Sequence, residues 1–247
     1  MISFAIPNYN RVDNVLALVA KHSEDDRITE ILICDDASED FIVSNIERNI
    51  SVFPKARIVT HENNLGPYGN KVRAVKNCKS DWVVLCDSDN FIDTDYIDAL
   101  FAEKKVFGWN ENTIYCPSFA KPALDYTLLE HRIIGSLHEM HEVNWYAQAK
   151  GGAFLNTGNY FVNRKNYVEI GEQNTDFCEA KHNCDVIAFN YCWVKSGKKL
   201  KCVHNLSYFH DTNSPDSIYK VHNARDPHAS AKNLEDVNRL IGEGYAN

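Results

Sequence analysis

Two aspartates on either side of a serine are the residues best placed to do chemistry in this chain. Asp87-Ser88-Asp89 comes directly after the apolar run Trp82–Cys86. When the chain is extended, two carboxylates one residue apart can both bind one hard cation, directly or through water. Mg²⁺ or Mn²⁺ accepts such ligands and leaves positions open for phosphate oxygens. Alone, the motif is weak, because the same residues could form an acidic loop capping a helix that begins near Asp93.

A second acidic pair, Asp35-Asp36, also follows an apolar run. An aspartate there could accept hydrogen bonds from a nucleobase N–H or a ribose hydroxyl. It could equally cap a loop or helix, with Ser38 competing for that role. Asn64-Leu65-Gly66, followed by Lys71 and Arg73, could bring cationic donors to the same place. Either basic residue taken singly would belong to a solvated helix face.

The elements that must position these groups alternate between strands and helices. Apolar runs and helical periodicity predict strands at Ile2–Ile6, Glu30–Cys34, Arg57–Thr60 and Asp81–Cys86, and helices at Arg11–His22, Gly66–Cys78 and Thr94–Phe107. Such alternation implies right-handed βαβ units and a mostly parallel sheet. Ligands of an open α/β sheet bind beyond the carboxyl ends of its strands. We therefore expect Pro7-Asn8-Tyr9-Asn10 and both acidic pairs to share one edge.

The second half of the chain has a looser pattern. It predicts strands at Asn159–Val162 and Leu200–Val203, and helices at Asp185–Lys195 and Ser230–Ile241. Neither a repeat, a low-complexity segment nor a linker interrupts the sequence. One domain over residues 1–247 is therefore predicted.

Composition narrows the class of protein. Hydrophobic residues make up 44% and charged residues 24%, as in ordinary globular domains. Apolar runs are too short for a bilayer span, and no leader precedes the first predicted strand, so we expect a cytoplasmic chain. A net charge of −8 argues against nucleic-acid binding. The eight cysteines lack a CxxC pair and are expected to be buried, reduced thiols, with no zinc site.

Four motifs resemble those of family-2-type glycosyltransferases with the GT-A fold. They are Ile6-Pro7-Asn8-Tyr9-Asn10-Arg11, Cys34-Asp35-Asp36-Ala37-Ser38, Asn64-Leu65-Gly66 with the basic helix after it, and Leu85-Cys86-Asp87-Ser88-Asp89. They match the family's Pro-x-Tyr-Asn, Val-Asp-Asp-Gly-Ser, Asn-x-Gly and Asp-x-Asp over roughly residues 2–100. Each motif is weak alone, but their shared order and spacing are specific. The resemblance implies a Rossmann-like α/β domain with a nucleotide-binding half (1–100), an acceptor and catalytic half (101–214), and a C-terminal loop and helix (215–247).

The resemblance also implies roles for individual residues. Nucleotide contacts would come from Pro7, Tyr9, Asn10, Arg11, Asp35, Asp36, Asn64, Lys71, Arg73, Asp87 and Ser88. Mn²⁺ or Mg²⁺ would be held by Asp89 and Asp87 together with a late histidine, His210. Two departures stand out: Lys71 occupies the family's usual arginine position, and Ala37 replaces its usual glycine.

The resemblance is fainter in the second half. The segment from Gly158 and Asn159 to Arg164 resembles the part of the family that lines the donor-sugar and acceptor site. Trp145 could stack on a sugar ring, although such aromatics more often belong to the core. The catalytic base would be Asp185, with Glu179 left open, because Cys184-Asp185 replaces the family's usual Glu-Asp pair.

The implied reaction is metal-dependent transfer of a sugar from a nucleoside-diphosphate sugar to an acceptor hydroxyl, with inversion. UDP is slightly preferred as the nucleotide. The acceptor would be a glycan, a glycolipid or a protein-linked group, and a lipid acceptor would imply peripheral membrane association. Two alternatives remain open. A nucleotidyltransferase would need a glycine-rich loop where Pro7–Arg11 has no glycine, and a non-catalytic nucleotide- or carbohydrate-binding module would fit the irregular base motif.

Overall fold

Ten strands form one sheet in a computed structural model of the chain, which describes residues 1–122, 124–149, 158–181, 184–211 and 227–246. The strands are β1 (Ile2–Asn8), β2 (Ile28–Asp35), β3 (Ala56–Thr60), β4 (Trp82–Leu85), β5 (Asn90–Phe91), β6 (Thr113–Lys121), β7 (Leu124–Asp125), β8 (Ile133–Ile134), β9 (Phe161–Asn163) and β10 (Lys199–His210). Their order is β3-β2-β1-β4-β9-β6-β10-β5, with β7 beside β6 and β8 beside β10.

Helices connect most of these strands. They are α1 (Asp13–His22), α2 (Asp40–Ile50), α3 (Gly66–Asn77), α4 (Thr94–Phe107), α5 (Leu137–Ala149), α6 (Arg164–Gln173), α7 (Thr175–Glu179), α8 (Asp185–Lys195) and α9 (Pro227–Ala246), with a 3₁₀ turn at Thr127–Leu129. The predicted helices are confirmed close to their expected bounds. The helices α2, α5, α6 and α7 lie where none was predicted.

The sheet is mixed but mostly parallel, as expected of an α/β fold. Strands β3, β2, β1 and β4 run parallel to one another, and β6 runs parallel to β10. Strand β9 is antiparallel to both β4 and β6, so it separates two parallel blocks. The strand predicted at Leu200–Val203 continues through a register shift to His210. This extension carries the histidine toward β5.

Both faces of the sheet are covered by helices. Phe4 and the α1 residue Val15 belong to one buried cluster, and Ala5, Val72 of α3 and Ile187 of α8 belong to the other. Burial of alternate β1 side chains on opposite faces explains why its sequence is a continuous apolar run. All eight cysteines are buried and none forms a disulfide, as expected. None of the helices in the described ranges has the length and apolar character needed to cross a bilayer.

A buried histidine makes the stability of this fold depend on pH. His22 ends α1, stacks on Phe4 at 4.6 Å, and its Nε2 bonds the Ile92 carbonyl at 2.9 Å. Burial lowers the pKa of His22 below its usual 6.5. The folded protein therefore binds fewer protons than the unfolded chain, so the stabilising contribution is present above pH 6.5 and is lost as the pH falls through it.

We expect the free energy of unfolding to fall more steeply for the wild type than for His22→Gln below that pH. Urea denaturation at pH 7.5 and at pH 5.5 would measure both proteins. Glutamine keeps an N–H donor for Ile92 but cannot be protonated, so the stability gap between the two proteins should narrow at the lower pH. A gap that stays constant would contradict the assignment.

Candidate active site

Three polar segments lie side by side at the carboxyl ends of β1, β2 and β4. Asn8 is in register with Asp35 of β2, and Ala5 is in register with Leu85, two residues before Asp87. The arrangement follows from parallel pairing, which brings equivalent strand ends to one edge. The structure thus brings together the polar segments that the sequence analysis expected at this edge.

Asp35 builds the loop at this edge. Its Oδ1 accepts hydrogen bonds from Asn8 Nδ2 (3.0 Å) and Ser38 Oγ (2.6 Å), and its Oδ2 accepts one from the Ser38 amide (2.9 Å). The side chain has no exposed surface. The geometry therefore does not support the expected contact between Asp35 and a nucleotide, because both of its oxygens are engaged inside the protein.

Asp36 and Asn64 join the end of β2 to the beginning of α3. Asp36 Oδ1 accepts a hydrogen bond from the Leu65 amide at 2.7 Å, and Asn64 Nδ2 donates to the Asp36 carbonyl at 3.1 Å. Asn64 Oδ1 also accepts from the Gly66 amide at 3.0 Å. Burial raises the pKa of Asp36, and the Leu65 amide partly opposes that effect. Asp36 and Asn64 hold the start of the basic helix against the sheet edge.

The β1 loop is fastened to the β2 loop. The Asn10 amide donates to Ser38 Oγ at 2.7 Å, and Asn10 Oδ1 accepts from the Glu39 amide at 3.2 Å. Asn10 does not cap α1, because its side chain is used in this link and Val12 occupies the cap position. Pro7 is buried in β1, whereas Tyr9 is 42% exposed at the tip of the loop.

Lys71 lies between two carboxylates. Its Nζ is 3.5 Å from Asp87 Oδ1 and 3.6 Å from Asp185 Oδ2. Burial alone would lower the pKa of Lys71, but Asp185 and Asp87 outweigh it and raise that pKa, so the ammonium is charged. Arg73, two residues along α3, is exposed, so of the two basic residues the structure brings Lys71 into contact with these carboxylates.

Arg11 plays a similar part for the other aspartate of the triplet. Its Nη2 is 3.4 Å from Asp89 Oδ2, and its Nη1 donates to Ser88 Oγ at 3.5 Å. The Asp87 and Asp89 side chains remain about one-quarter exposed, at 25% and 24%. Both carboxylates therefore reach the surface of the site while a cation from another element accompanies each.

The two candidate bases occupy different places. Asp185 begins α8 and joins the Lys71 cluster, and its Oδ2 makes no hydrogen bond within the described residues. Glu179 ends α7 and is exposed, with Oε1 close to Gly69 near the start of α3. The geometry favours Asp185, because its carboxylate is the one next to the triplet.

Tyr96 and Asn90, which the sequence analysis missed, support the site together with Asn159. Asn159 Oδ1 accepts from the Asp87 amide at 2.9 Å, and Tyr96 donates to the Asn159 carbonyl at 3.0 Å. The sequence analysis expected Asn159 on the donor-sugar side. The structure instead buries this residue, and its side chain orients Asp87. Asn90 Oδ1 bonds His210 Nδ1 at 2.9 Å. Asn90 follows the motif directly in sequence, whereas nothing in the pattern singles out Tyr96.

A small pocket adjoins the cluster. It is lined by Tyr68, Lys71, Gly158, Tyr160, Tyr167, Asp185, Val186 and Phe189. Tyr160 is buried in the core, and the backbone of Gly158 lies next to Asp87 and Lys71. Trp145 belongs to α5, and its side chain is outside the described residues.

Comparison with known proteins decides the family. The model of glycosyl transferase family 2 matches residues 3–169, which include the β1 loop, both acidic pairs and Asn159. The chain belongs to this family. A search of curated proteins found no match.

Solved structures share the fold of this family 2 domain at low sequence identity. S. aureus TarS 1-349 has a TM-score of 0.62 and 14% identity, covering 100% of this chain and 65% of that one. The mannosyltransferase PcManGT from Pyrobaculum calidifontis also gives 0.62 and 14%, covering 96% and 64%. Glucosyl-3-phosphoglycerate synthase from Mycobacterium tuberculosis gives 0.60 and 14%, covering 96% and 78%. The match to a longer TarS chain covers 90% of this chain and only 38% of that one.

The charges of the family 2 site suit a divalent cation, although no group of three His, Cys, Asp or Glu side chains in the described ranges is already gathered to hold one. The carboxylates of Asp87, Asp89 and Asp185 face the two cations Lys71 and Arg11. The three carboxylates outnumber the two cations, so the site carries net negative charge. Mg²⁺ and Mn²⁺ bind to hard oxygen ligands of this kind. The residues present therefore fit such an ion.

Gly158 is required by the close approach of the chain to this cluster. A Cβ at this position would lie 3.3 Å from Asp87 Oδ2, 3.4 Å from Lys71 Nζ and 3.2 Å from Val186 Cγ2. We expect Gly158→Ala to lower turnover about ten- to a hundredfold, because it shifts the groups that the site must align. Gly242→Ala is the control, since its Cβ would meet only His141 ring atoms at 4.0 Å. Equal steady-state rates for both variants would contradict the expectation.

Proposed function

We propose that this family 2 glycosyltransferase moves a sugar from a nucleoside-diphosphate sugar to an acceptor hydroxyl, in a metal-dependent reaction that inverts the anomeric carbon. The observation that carries the proposal is the cluster of Asp87, Asp89 and Asp185 around Lys71 and Arg11 at the carboxyl edge of the sheet. Relatives of the same fold support it. TarS was solved with UDP-GlcNAc, PcManGT with GDP-Man and Mn²⁺, and the synthase with Mn²⁺, UDP and phosphoglyceric acid.

Asp89 and Asp87 would hold Mn²⁺ or Mg²⁺, with His210 as the third side chain. Bound there, the ion would stabilise the negative charge that develops on the departing diphosphate. Asn159 supports this role by fixing the Asp87 backbone, and Asn90 does so by fixing the His210 ring. Such hydrogen bonds from outside the ligand set orient the ligands themselves.

Asp185 would act as the general base. Its carboxylate would take the proton from the acceptor hydroxyl as that oxygen attacks the sugar carbon from the face opposite the leaving group. One base is sufficient for a single displacement with inversion, so the proposal needs no covalent nucleophile. Glu179 is the second candidate, and its exposed position beside Gly69 makes it the weaker one.

The nucleoside would lie over the β1 and β2 loops, in the half formed by residues 1–100. Tyr9 is exposed at that edge and can cover a base or a ribose with its ring. Asp36, Asn64, Pro7, Asn10 and Arg11 would shape the same surface, with Ser88 and Arg73 at its borders. We prefer UDP over GDP only slightly, because an acidic pair at this edge is compatible with either base.

The acceptor would approach from residues 101–214, where Gly158 and Trp145 belong to the proposed sugar-binding side. A glycan, a glycolipid or a protein-linked group would each supply the hydroxyl. We propose action in the cytoplasm, with peripheral association at a membrane if the acceptor is a lipid, and no role for nucleic acid because of the net charge of −8.

A donor screen tests the proposal. The protein would be incubated with UDP, GDP and TDP sugars and Mn²⁺, and release of the nucleoside diphosphate would be measured with and without EDTA. Metal-dependent release from one donor class is expected, and NMR of the product sugar should show an inverted anomeric centre. Absence of release from every donor, with or without added acceptor sugars, would favour a non-catalytic binding module.

A further inference from the structure

Lys71 contacts two carboxylates that the proposed reaction uses for different purposes. It lies on α3, Asp87 follows β4, and Asp185 begins α8, so one ammonium group connects three elements. Its Nζ is 3.5 Å from one carboxylate and 3.6 Å from the other, and the side chain is only 12% exposed. Half of the residues that line the surrounding pocket are aromatic, and they include Tyr68, Tyr167 and Phe189.

We propose that Lys71 is a positioning residue that ties the proposed base, Asp185, to the metal-binding carboxylate, Asp87, and that a divalent cation must displace it from Asp87. This inference rests on the proposed function for the roles of the two aspartates. It adds a link between them that neither role requires by itself. In the protein without ligands, Lys71 pairs with both carboxylates. When an ion occupies Asp87, the lysine contact with Asp185 remains and orients the base.

Electrostatics makes this link strong. Because they share one Nζ, the contacting oxygens of Asp87 and Asp185 lie within about 7 Å of each other, and in a partly buried site they repel. Asp185 Oδ2 makes no hydrogen bond in the described residues, so Lys71 is its recorded cationic partner. Without the ammonium, repulsion between the two carboxylates would push the start of α8 away from β4.

The backbone around Lys71 is fixed, so the ammonium has a defined position. Tyr68 donates to the Gly171 carbonyl at 2.8 Å, and Val72 packs against the backbone of Gly171. Lys71 lies between these two residues of α3 and projects past Gly158. A lysine held this way acts as a rigid support for the carboxylates and not as a mobile surface charge.

A simpler role for Lys71 is contact with the donor diphosphate, and the two roles predict different kinetics. A diphosphate contact made equally in ground and transition states would change KM for the donor and leave kcat unaltered. A positioning role changes kcat, because Asp185 loses its orientation, and it also changes metal binding in the absence of any nucleotide. Lys71 is a cation competing for Asp87, so removing it should tighten Mn²⁺ binding.

The test compares Lys71→Met and Lys71→Arg with Lys76→Met, a control on the same helix whose lysine pairs with Glu172 at the surface. Electron paramagnetic resonance would measure Mn²⁺ binding to each protein without nucleotide. We expect about three- to tenfold tighter binding by Lys71→Met. We also expect about a ten- to hundredfold lower kcat with donor KM changed less than about threefold, and partial recovery in Lys71→Arg.

A double-mutant cycle separates failure of this inference from failure of the proposed function. The urea midpoint of unfolding, which does not depend on any donor, would be measured for Lys71→Met, Asp185→Asn and the double variant. If Lys71 links Asp185 to Asp87, the changes in midpoint should be non-additive. Additive midpoints with unchanged Mn²⁺ affinity would overturn this inference, as would a raised KM with unchanged kcat. Non-additive midpoints in a protein that turns over no donor would support the link made by Lys71 and would reject the proposed sugar transfer.

Discussion

Replacing Asp89 by asparagine is expected to lower sugar transfer about a hundred- to a thousandfold, with the fold intact. Asp89 lies outside the core, and its recorded ion pair is a 3.4 Å contact with Arg11, so its loss removes little folding energy. It would remove one of the two carboxylates proposed to hold the metal, and with it charge stabilisation in the transition state. Initial rates at saturating donor and Mn²⁺ would measure the effect, together with Mn²⁺ binding.

Asp93→Asn is the matched control for this variant. It makes the same chemical change on the other side of β5, where Asp93 caps α4 by accepting from the Thr94 amide. Asparagine caps helices about as well as aspartate, so normal turnover is expected. If Asp89→Asn kept more than half of the wild-type rate, Asp89 would not be a metal ligand.

Replacing Asp185 by asparagine is the second change with a large expected effect. Asparagine has the same shape but cannot accept a proton, so kcat should fall about a hundred- to ten-thousandfold. Binding of the nucleoside diphosphate should be retained, because Asp185 begins α8 and does not belong to the β1 and β2 loops that would hold the nucleoside. Steady-state kinetics and calorimetric binding would be measured on the same preparation.

Glu179→Gln is the matching variant for the other candidate base. Glu179 is exposed at the end of α7, so a change of less than about threefold in kcat is expected from the loss of a surface charge. The reverse result, a large loss in Glu179→Gln with activity retained in Asp185→Asn, would transfer the role of base to Glu179.

The sequence predicts the first half of the fold well because apolar periodicity there is clear. Strands β1, β2, β3 and β4 are mostly apolar runs bounded by polar loops. Helix α2 was missed because Asp40–Ile50 mixes β-branched residues with a narrow apolar face, of which Ile46 and Ile50 alone are buried. Packing against the sheet, and not local propensity, determines that this segment is helical.

The site is predictable as a set of motifs but not as a set of contacts. Strand ends bring the motifs to one edge, and the motif pattern is enough to predict that. Whether an aspartate faces solvent or the loop interior depends on partners far along the chain, so the burial of Asp35 was not foreseen. The same is true of the Asn159 bond to Asp87 and the contact between Lys71 and Asp185, which join residues from separate elements.

One departure from the family pattern has a physical consequence. Ala37 replaces the family's usual glycine and adopts a φ of 58°. This is the left-handed region, which costs a residue with a Cβ about 1–2 kcal/mol. The bonds that Ser38 makes with Asp35 and Asn10 hold the turn in place despite that cost.

Calorimetric titration of the protein with UDP and GDP, with and without Mn²⁺, tests the central claim most directly. The account predicts that one diphosphate binds at least about tenfold more tightly when Mn²⁺ is present, and that Asp89→Asn abolishes this difference. Absence of binding by either diphosphate in the presence of Mn²⁺ would contradict the assignment of the Asp87-Ser88-Asp89 edge as a metal-dependent nucleotide-sugar site.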